Sequence, residues 1–203
     1  PRLPGTEVVT DVFPYSVTNA GLTNKRAFAW GWRRVEGMRL ENPMAVAALL
    51  VNLRNVIQVA VSADPRYGPI YNYGVAQEIV RALKSHGYHI GGGVPVTMLG
   101  WSGGGQISLG TSTFLKGMLQ APIRIVSVGG VMADDPGLKS IEHLDHYYGD
   151  KDPVQGLGGK LYFGRWKIAV KSAWNQALAK GKITMTSLGP LVHMGKGNYF
   201  DFE

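Results

Sequence analysis

The chain has 203 residues, enough for one domain with one core, and folding at this size removes roughly 70% of the unfolded surface from water. Its 45% hydrophobic content excludes a disordered chain, its 28 Gly and 11 Pro follow no three-residue period and so indicate tight turns rather than a fibre, and its lack of Cys excludes a disulfide scaffold, a thiol nucleophile and any thiolate metal site. A formal charge of +7 attracts anionic partners, but the cations are scattered, with only pairs near residues 33–34 and 165–167, and no zinc-finger or single-strand-binding pattern accompanies them; nucleic acid is not expected, and a peripheral membrane surface or a protein is the partner class left open.

Residues 1–5, PRLPG, show no basic segment followed by an apolar run and a cleavage site, so no intact signal peptide is expected within them and the compartment stays unassigned. Residues 7–13 read as a short strand of β-branched residues ended by Pro14, followed by a loop over 15–22. Residues 43–62 suit a helix started by Asn42 with Pro43 in its first turn. Asn52, Arg54, Asn55 and Gln58 interrupt it, so it is expected to be a buried or partly buried helix rather than a lipid-spanning one. After a break at 64–69, residues 73–85 form an amphipathic pattern with Val75, Ile79, Ala82 and Leu83 on one side. A glycine-rich turn leads to a strand over 94–99, a helix over 103–119, a strand over 123–128, a segment over 141–148 that enters the sheet, a helix over 166–178 and a last strand over 183–187. Strands alternating with helices predict right-handed crossovers and a three-layer α/β/α domain around a mostly parallel sheet, with no internal repeat and no separable second domain.

Gly100-Trp101-Ser102-Gly103-Gly104 fits G-x-S-x-G between a predicted strand and a predicted helix. A sharp strand-to-helix turn there projects Ser102, Gly100 and Gly104 leave room where a Cβ would collide, and the helix start aims the amide of Gly103 at an oxygen that gains charge in acyl transfer. A phosphate loop would need a Lys-Ser or Lys-Thr pair, and Gly105 is followed instead by Gln106 and Ile107. A dinucleotide fingerprint is also absent.

A serine hydroxyl needs a histidine base and an acid that orients it. Of His86, His89, His143, His146 and His193, the order serine, acid, histidine selects His193, which follows the last strand. Between them, Asp150 and Asp152 compete in the turn after residue 148; Asp152 precedes Pro153, which favours an extended backbone and a fixed direction. Asp134 and Asp135 are the fallback acids. No H-E-x-x-H pair occurs, and neither a metal nor an organic cofactor is expected.

VTMLGWSGGG, RIVSVGG, YYGDKDPV and LVHMG, in this order over about residues 90–195, resemble the α/β-hydrolase superfamily, with 50 positions from Ser102 to Asp152 and 41 from Asp152 to His193. The resemblance implies a triad of Ser102, Asp152 and His193, with Asp152 as the acid of a G-x-x-D turn that starts at Gly149 and Asp150 in support. It also implies strands before the elbow, an oxyanion loop, and a helix after the histidine, for which no motif stands before residue 90 and only about ten residues follow His193. Residues 1–203 therefore read as a single hydrolase-like domain lacking some N-terminal strands and the C-terminal helix, with a second oxyanion donor sought at 14–18. The expected activity is cleavage of a small acyl ester, lipid or thioester through an acyl-enzyme, with Trp101, Phe13, Tyr15 and Met194 as candidate acyl-pocket residues. Acyl transfer by the same triad, or a non-catalytic hydrolase-like interaction subunit, are the alternatives.

Overall fold

The computed structural model describes residues 5–12 and 46–201. Its centre is a four-stranded parallel sheet in chain order: β1 (Val96–Trp101), β2 (Ile123–Val128), β3 (His143–Tyr148) and β4 (Ile183–Ser187). Val96 is opposite Ile123, Arg124 opposite His143, and Leu144 opposite Ile183, so each strand is joined to the next by a crossover. Helices α1 (Val46–Ala63) and α2 (Gly68–Ser85) precede the sheet, α3 (Gly103–Leu119) links β1 to β2, and α4 (Leu157–Leu161) and α5 (Ala173–Ala179) lie between β3 and β4.

Alternation along β1 buries Val96, Met98 and Gly100, and Ile123, Ile125, Leu144 and Ile183 continue this apolar face. Helix α3 packs on β1 and β2, α5 reaches β4, and Leu109, Leu115, Leu119, Trp174 and Ala177 share one core with the strands. The opposite face turns out Leu99 and Trp101, with Leu99 74% exposed. The described residues thus build a mixed α/β fold with helices against one face of a parallel sheet, and they do not display the second helical layer expected from the sequence.

Several boundaries differ from expectation for local reasons. Residues 7–12 are irregular, because none of the four strands pairs with them; Glu7 and Asp11 instead contact His86 beyond the end of α2, at 3.3 and 3.4 Å. The start of α1 at Asn42 and Pro43 lies outside the described residues. Helix α1 packs on α2 and α3 yet leaves Leu53, Val56 and Ile57 exposed, and no described helix is long and apolar enough to cross a membrane. Helix α2 begins at Gly68 rather than residue 73, since Asp64 accepts the amides of Arg66 and Tyr67 at 2.7 and 3.2 Å and Pro69 suits the first turn. The helix expected over 166–178 shortens to α5. Ser172 caps it by accepting the Asn175 amide at 3.1 Å, and the Asn175 side chain holds the carbonyls of Trp166 and Ala169 in a turn.

Candidate active site

The three segments singled out in the sequence meet at the carboxyl ends of the parallel strands, where loops of an α/β sheet converge. β1 runs through Trp101 directly into Ser102, which has φ 53° and ψ −123°. That backbone is disfavoured for a residue with a Cβ and costs on the order of 1–3 kcal/mol. The turn is held by the Ser102 amide donating to Val128 O at 3.0 Å and by Ser102 O accepting from Gly105 and Val131 at 3.1 and 3.2 Å. Ser102 occupies the N-cap position of α3 without making a side-chain cap bond, so its hydroxyl is left for another partner.

A Cβ on Gly100 would lie 2.5 Å from Gly104 O, so the strand can meet the helix start only with glycine at 100. The expectation for Gly104 is corrected: a Cβ there would meet nothing within 4 Å. The second steric constraint belongs to Gly105, whose Cβ would fall 2.8 Å from Ser127 Oγ and 3.2 Å from Gly130 Cα. Helix α3 therefore sits against β2 through Gly105. Gly103 is the buried first residue of α3, in the turn whose amides have no intrahelical acceptor.

The hydroxyl of Ser102 lies 2.8 Å from His193 Nε2, and His193 Nδ1 lies 2.8 Å from Asp152 Oδ2. Both Asp152 and His193 are buried. Asp152 Oδ1 accepts the amides of Val154 and Gln155 at 2.8 and 3.2 Å, and Oδ2 also accepts the Tyr199 hydroxyl at 2.6 Å. Burial would raise the Asp152 carboxyl, but the donors Tyr199, His193 and Gln155 outweigh it and hold the group below its ordinary value. An ionised Asp152 accepts from Nδ1–H, which leaves the Nε2 lone pair to accept the Ser102 proton.

The histidine loop is positioned by close backbone approach. A Cβ on Gly149 would overlap Leu191, so the acid turn and the histidine loop cross only at a glycine. Val192 N donates to Gly197 O at 3.1 Å, and Gly195 and Gly197 take φ of 85° and 76°, closing a tight loop around His193. Trp101 stacks on the imidazole with ring centroids 5.5 Å apart, and Tyr199 meets it edge-on at 6.3 Å.

The competing residues have other partners. Asp150 accepts Ser187 Oγ at 2.7 Å, Asp134 accepts the Trp174 amide at 2.7 Å, and Asp135 accepts Gln106 Nε2 at 2.9 Å and the Gly137 amide at 2.8 Å. His143 bonds Thr184, and His146 is buried beside Ser127, where burial pushes its pKa down to about 4. Met194 is half-exposed in the histidine loop. Phe13, Tyr15 and the second oxyanion donor sought at 14–18 lie outside the described residues. Among the described residues, no group of three or more His, Asp or Glu is placed to hold a metal ion.

The chain matches no family model, no curated protein and no solved structure. The site is therefore read from its own geometry.

That geometry adds Tyr199, which the sequence reading missed. Its hydroxyl donates to Asp152 and accepts the Gly149 amide at 2.8 Å, and its ring fills the space in front of Gly129, where a Cβ would lie 2.6 Å from the ring. Burial and the adjoining Asp152 carboxylate push the phenol up, so it stays a donor. The one sequence signal was its position, an aromatic hydroxyl six residues after His193.

Proposed function

We propose that the chain is a serine hydrolase of α/β-hydrolase type that cleaves carboxylic esters or thioesters through an acyl-enzyme. The observation that carries this reading is the continuous relay from Ser102 Oγ through His193 to Asp152, both steps 2.8 Å, on a strained turn between a parallel strand and a helix. The order of the parts along the sheet, nucleophile after β1, acid after β3 and base after β4, supports the same architecture.

In the first half-reaction His193 Nε2 takes the Ser102 proton as Oγ adds to the acyl carbon. Asp152 holds the imidazole in the required tautomer and stabilises the imidazolium without itself taking the proton. The developing oxyanion is met by the Gly103 amide at the start of α3, where the helix dipole is positive. His193 then protonates the leaving alcohol or thiol, and in the second half-reaction it activates water to release the acid and restore the serine. A hydrolase-like subunit without chemistry would have no need of a serine kept in a costly conformation with its hydroxyl aimed at a buried histidine.

Turnover of short-chain p-nitrophenyl esters and of an acyl thioester by the purified chain tests the proposal. Ser102→Ala should lower kcat by on the order of 10⁴ or more, because nucleophile and base act as a unit. A folded chain without activity on either substrate class, or one whose activity survives Ser102→Ala, would show the reading to be wrong.

A further inference from the structure

The cations are scattered along the chain, but the net charge of +7 is not, because the acidic residues are unevenly placed. Residues 153–200 contain seven Lys or Arg and no Asp or Glu, so this stretch alone accounts for the whole net charge and the rest of the chain is balanced. The same stretch displays apolar side chains to solvent: Leu161, Phe163, Ile168 and Val170 are 61–76% exposed, and Trp166 is about half exposed. Lys160, Lys167 and Lys171, all exposed, are interleaved with them.

This display is held in place from beneath. The Arg165 guanidinium stacks on Trp174 at 3.7 Å and donates to Met132 O at 3.0 Å, while the Asn175 side chain donates to the carbonyls of Trp166 and Ala169 at 2.8 and 2.9 Å. Gly164 lies directly against Asp134, whose carboxylate is engaged by the Trp174 amide at 2.7 Å. The polar anchors point inward and the apolar side chains outward, so the loop cannot bury its own Ile168 and Val170 without giving up these bonds. Exposed apolar groups clustered in this way mark an interaction site.

We infer that residues 160–171 form a docking surface for an anionic lipid–water interface. Trp, Phe and aliphatic side chains interleaved with lysines suit the boundary between headgroups and acyl chains, where the apolar groups leave water and the ammonium groups meet anionic headgroups. A nucleic-acid partner would use the lysines but leave Leu161, Ile168 and Val170 in water. The stretch directly follows the Asp152 turn, and Arg165 ties it to the loop after β2, so it flanks the carboxyl end of the sheet where Ser102 sits. This deepens the hydrolase reading, on which it rests for its consequence: acyl esters held in an anionic interface become the substrate class presented to the site.

The test separates the two. Co-sedimentation of the full 203-residue chain carrying Ser102→Ala is measured with vesicles of phosphatidylcholine alone and with about one third phosphatidylglycerol, so docking is read without turnover. Partition onto anionic vesicles should exceed that onto neutral ones and fall with added salt. Changing Lys160, Lys167 and Lys171 to Gln should weaken it about fivefold per lysine, and Ile168→Ser with Val170→Ser about tenfold or more, whereas Lys84→Gln with Lys139→Gln should leave it unchanged. Equal binding to neutral vesicles, no binding to either, or loss of equal size from the Lys84 and Lys139 pair would overturn the proposal. Binding to single-stranded DNA that ignores Ile168→Ser and Val170→Ser, without vesicle binding, would replace it with a polyanion site. In the chain with Ser102 intact, hydrolysis of a monomeric soluble ester should survive all the lysine changes; vesicle binding without any such hydrolysis would retain the docking surface and remove the hydrolase reading.

Discussion

Replacing Tyr199 by Phe isolates one oxygen atom. The ring remains available to pack against Gly129 and His193, but Asp152 Oδ2 loses its donor at 2.6 Å and the Gly149 amide loses its acceptor at 2.8 Å. A hydrogen bond to a charged group is worth about 1.5–3 kcal/mol, and a buried amide left without a partner costs about 1–3 kcal/mol. Since both losses share one hydroxyl, roughly 3 kcal/mol of stability should go, seen as a Tm lower by about 6–12 °C for a chain of this size. The effect on chemistry has a different signature. Among the donors that hold the Asp152 carboxyl below its ordinary value Tyr199 is the strongest, so without it the carboxyl takes up a proton at higher pH and the acid limb of kcat/KM should move to higher pH. Thermal unfolding and a pH–rate profile on a soluble ester measure the two effects separately. An unchanged Tm, or an acid limb that stays in place or moves to lower pH in a folded variant, would refute this account of Tyr199.

Asp152→Asn keeps the side-chain volume but favours the wrong imidazole tautomer, and turnover should fall by about 10⁴. Asp150→Asn, whose partner is the exposed Ser187, should cost less than about tenfold; equal losses from the two on a stopped-flow ester assay would contradict the assignment. Gly100→Ala should destabilise or unfold the chain in urea titrations, whereas Gly104→Ala should be tolerated, because only the first adds a Cβ against backbone. His146 has a folded pKa of about 4 against an ordinary 6.5, so the unfolded chain binds more protons between these values. Stability from this group is present above pH 6.5 and is lost as pH falls toward 4, by roughly 3 kcal/mol, and His146→Gln should flatten that part of the urea-derived stability profile.

The parallel sheet and the helix after the elbow were legible because their signals are local. An apolar strand, a glycine-bounded serine and a seventeen-residue helix follow each other without interruption, and β2, α3 and β4 have the bounds expected. The order of Ser102, Asp152 and His193 was likewise readable, since each lies at a strand end marked by Gly or Pro. What was hidden depends on contacts across the chain. Gly105 and Gly104 are indistinguishable in the sequence; only the packing of α3 against Ser127 and Gly130 separates them. Tyr199 reads as an ordinary aromatic until the histidine loop folds back and puts its hydroxyl on Asp152, 47 positions away. Residues 166–178 carry a helical pattern, yet Asn175 draws in the carbonyls of Trp166 and Ala169 and turns their stretch into a loop. Residues 7–12 show that β-branched composition alone does not make a strand when no neighbour pairs with it.

The central claim is that Ser102 is a nucleophile activated by His193, and covalent capture reads this most directly. The folded chain is incubated with a fluorophosphonate and its mass is followed, with the modified peptide sequenced. The account predicts one adduct, on Ser102, that is absent in Ser102→Ala and forms at a strongly reduced rate in His193→Ala. A folded chain that stays unmodified through long exposure, or one labelled on another residue at an undiminished rate in Ser102→Ala, would contradict it.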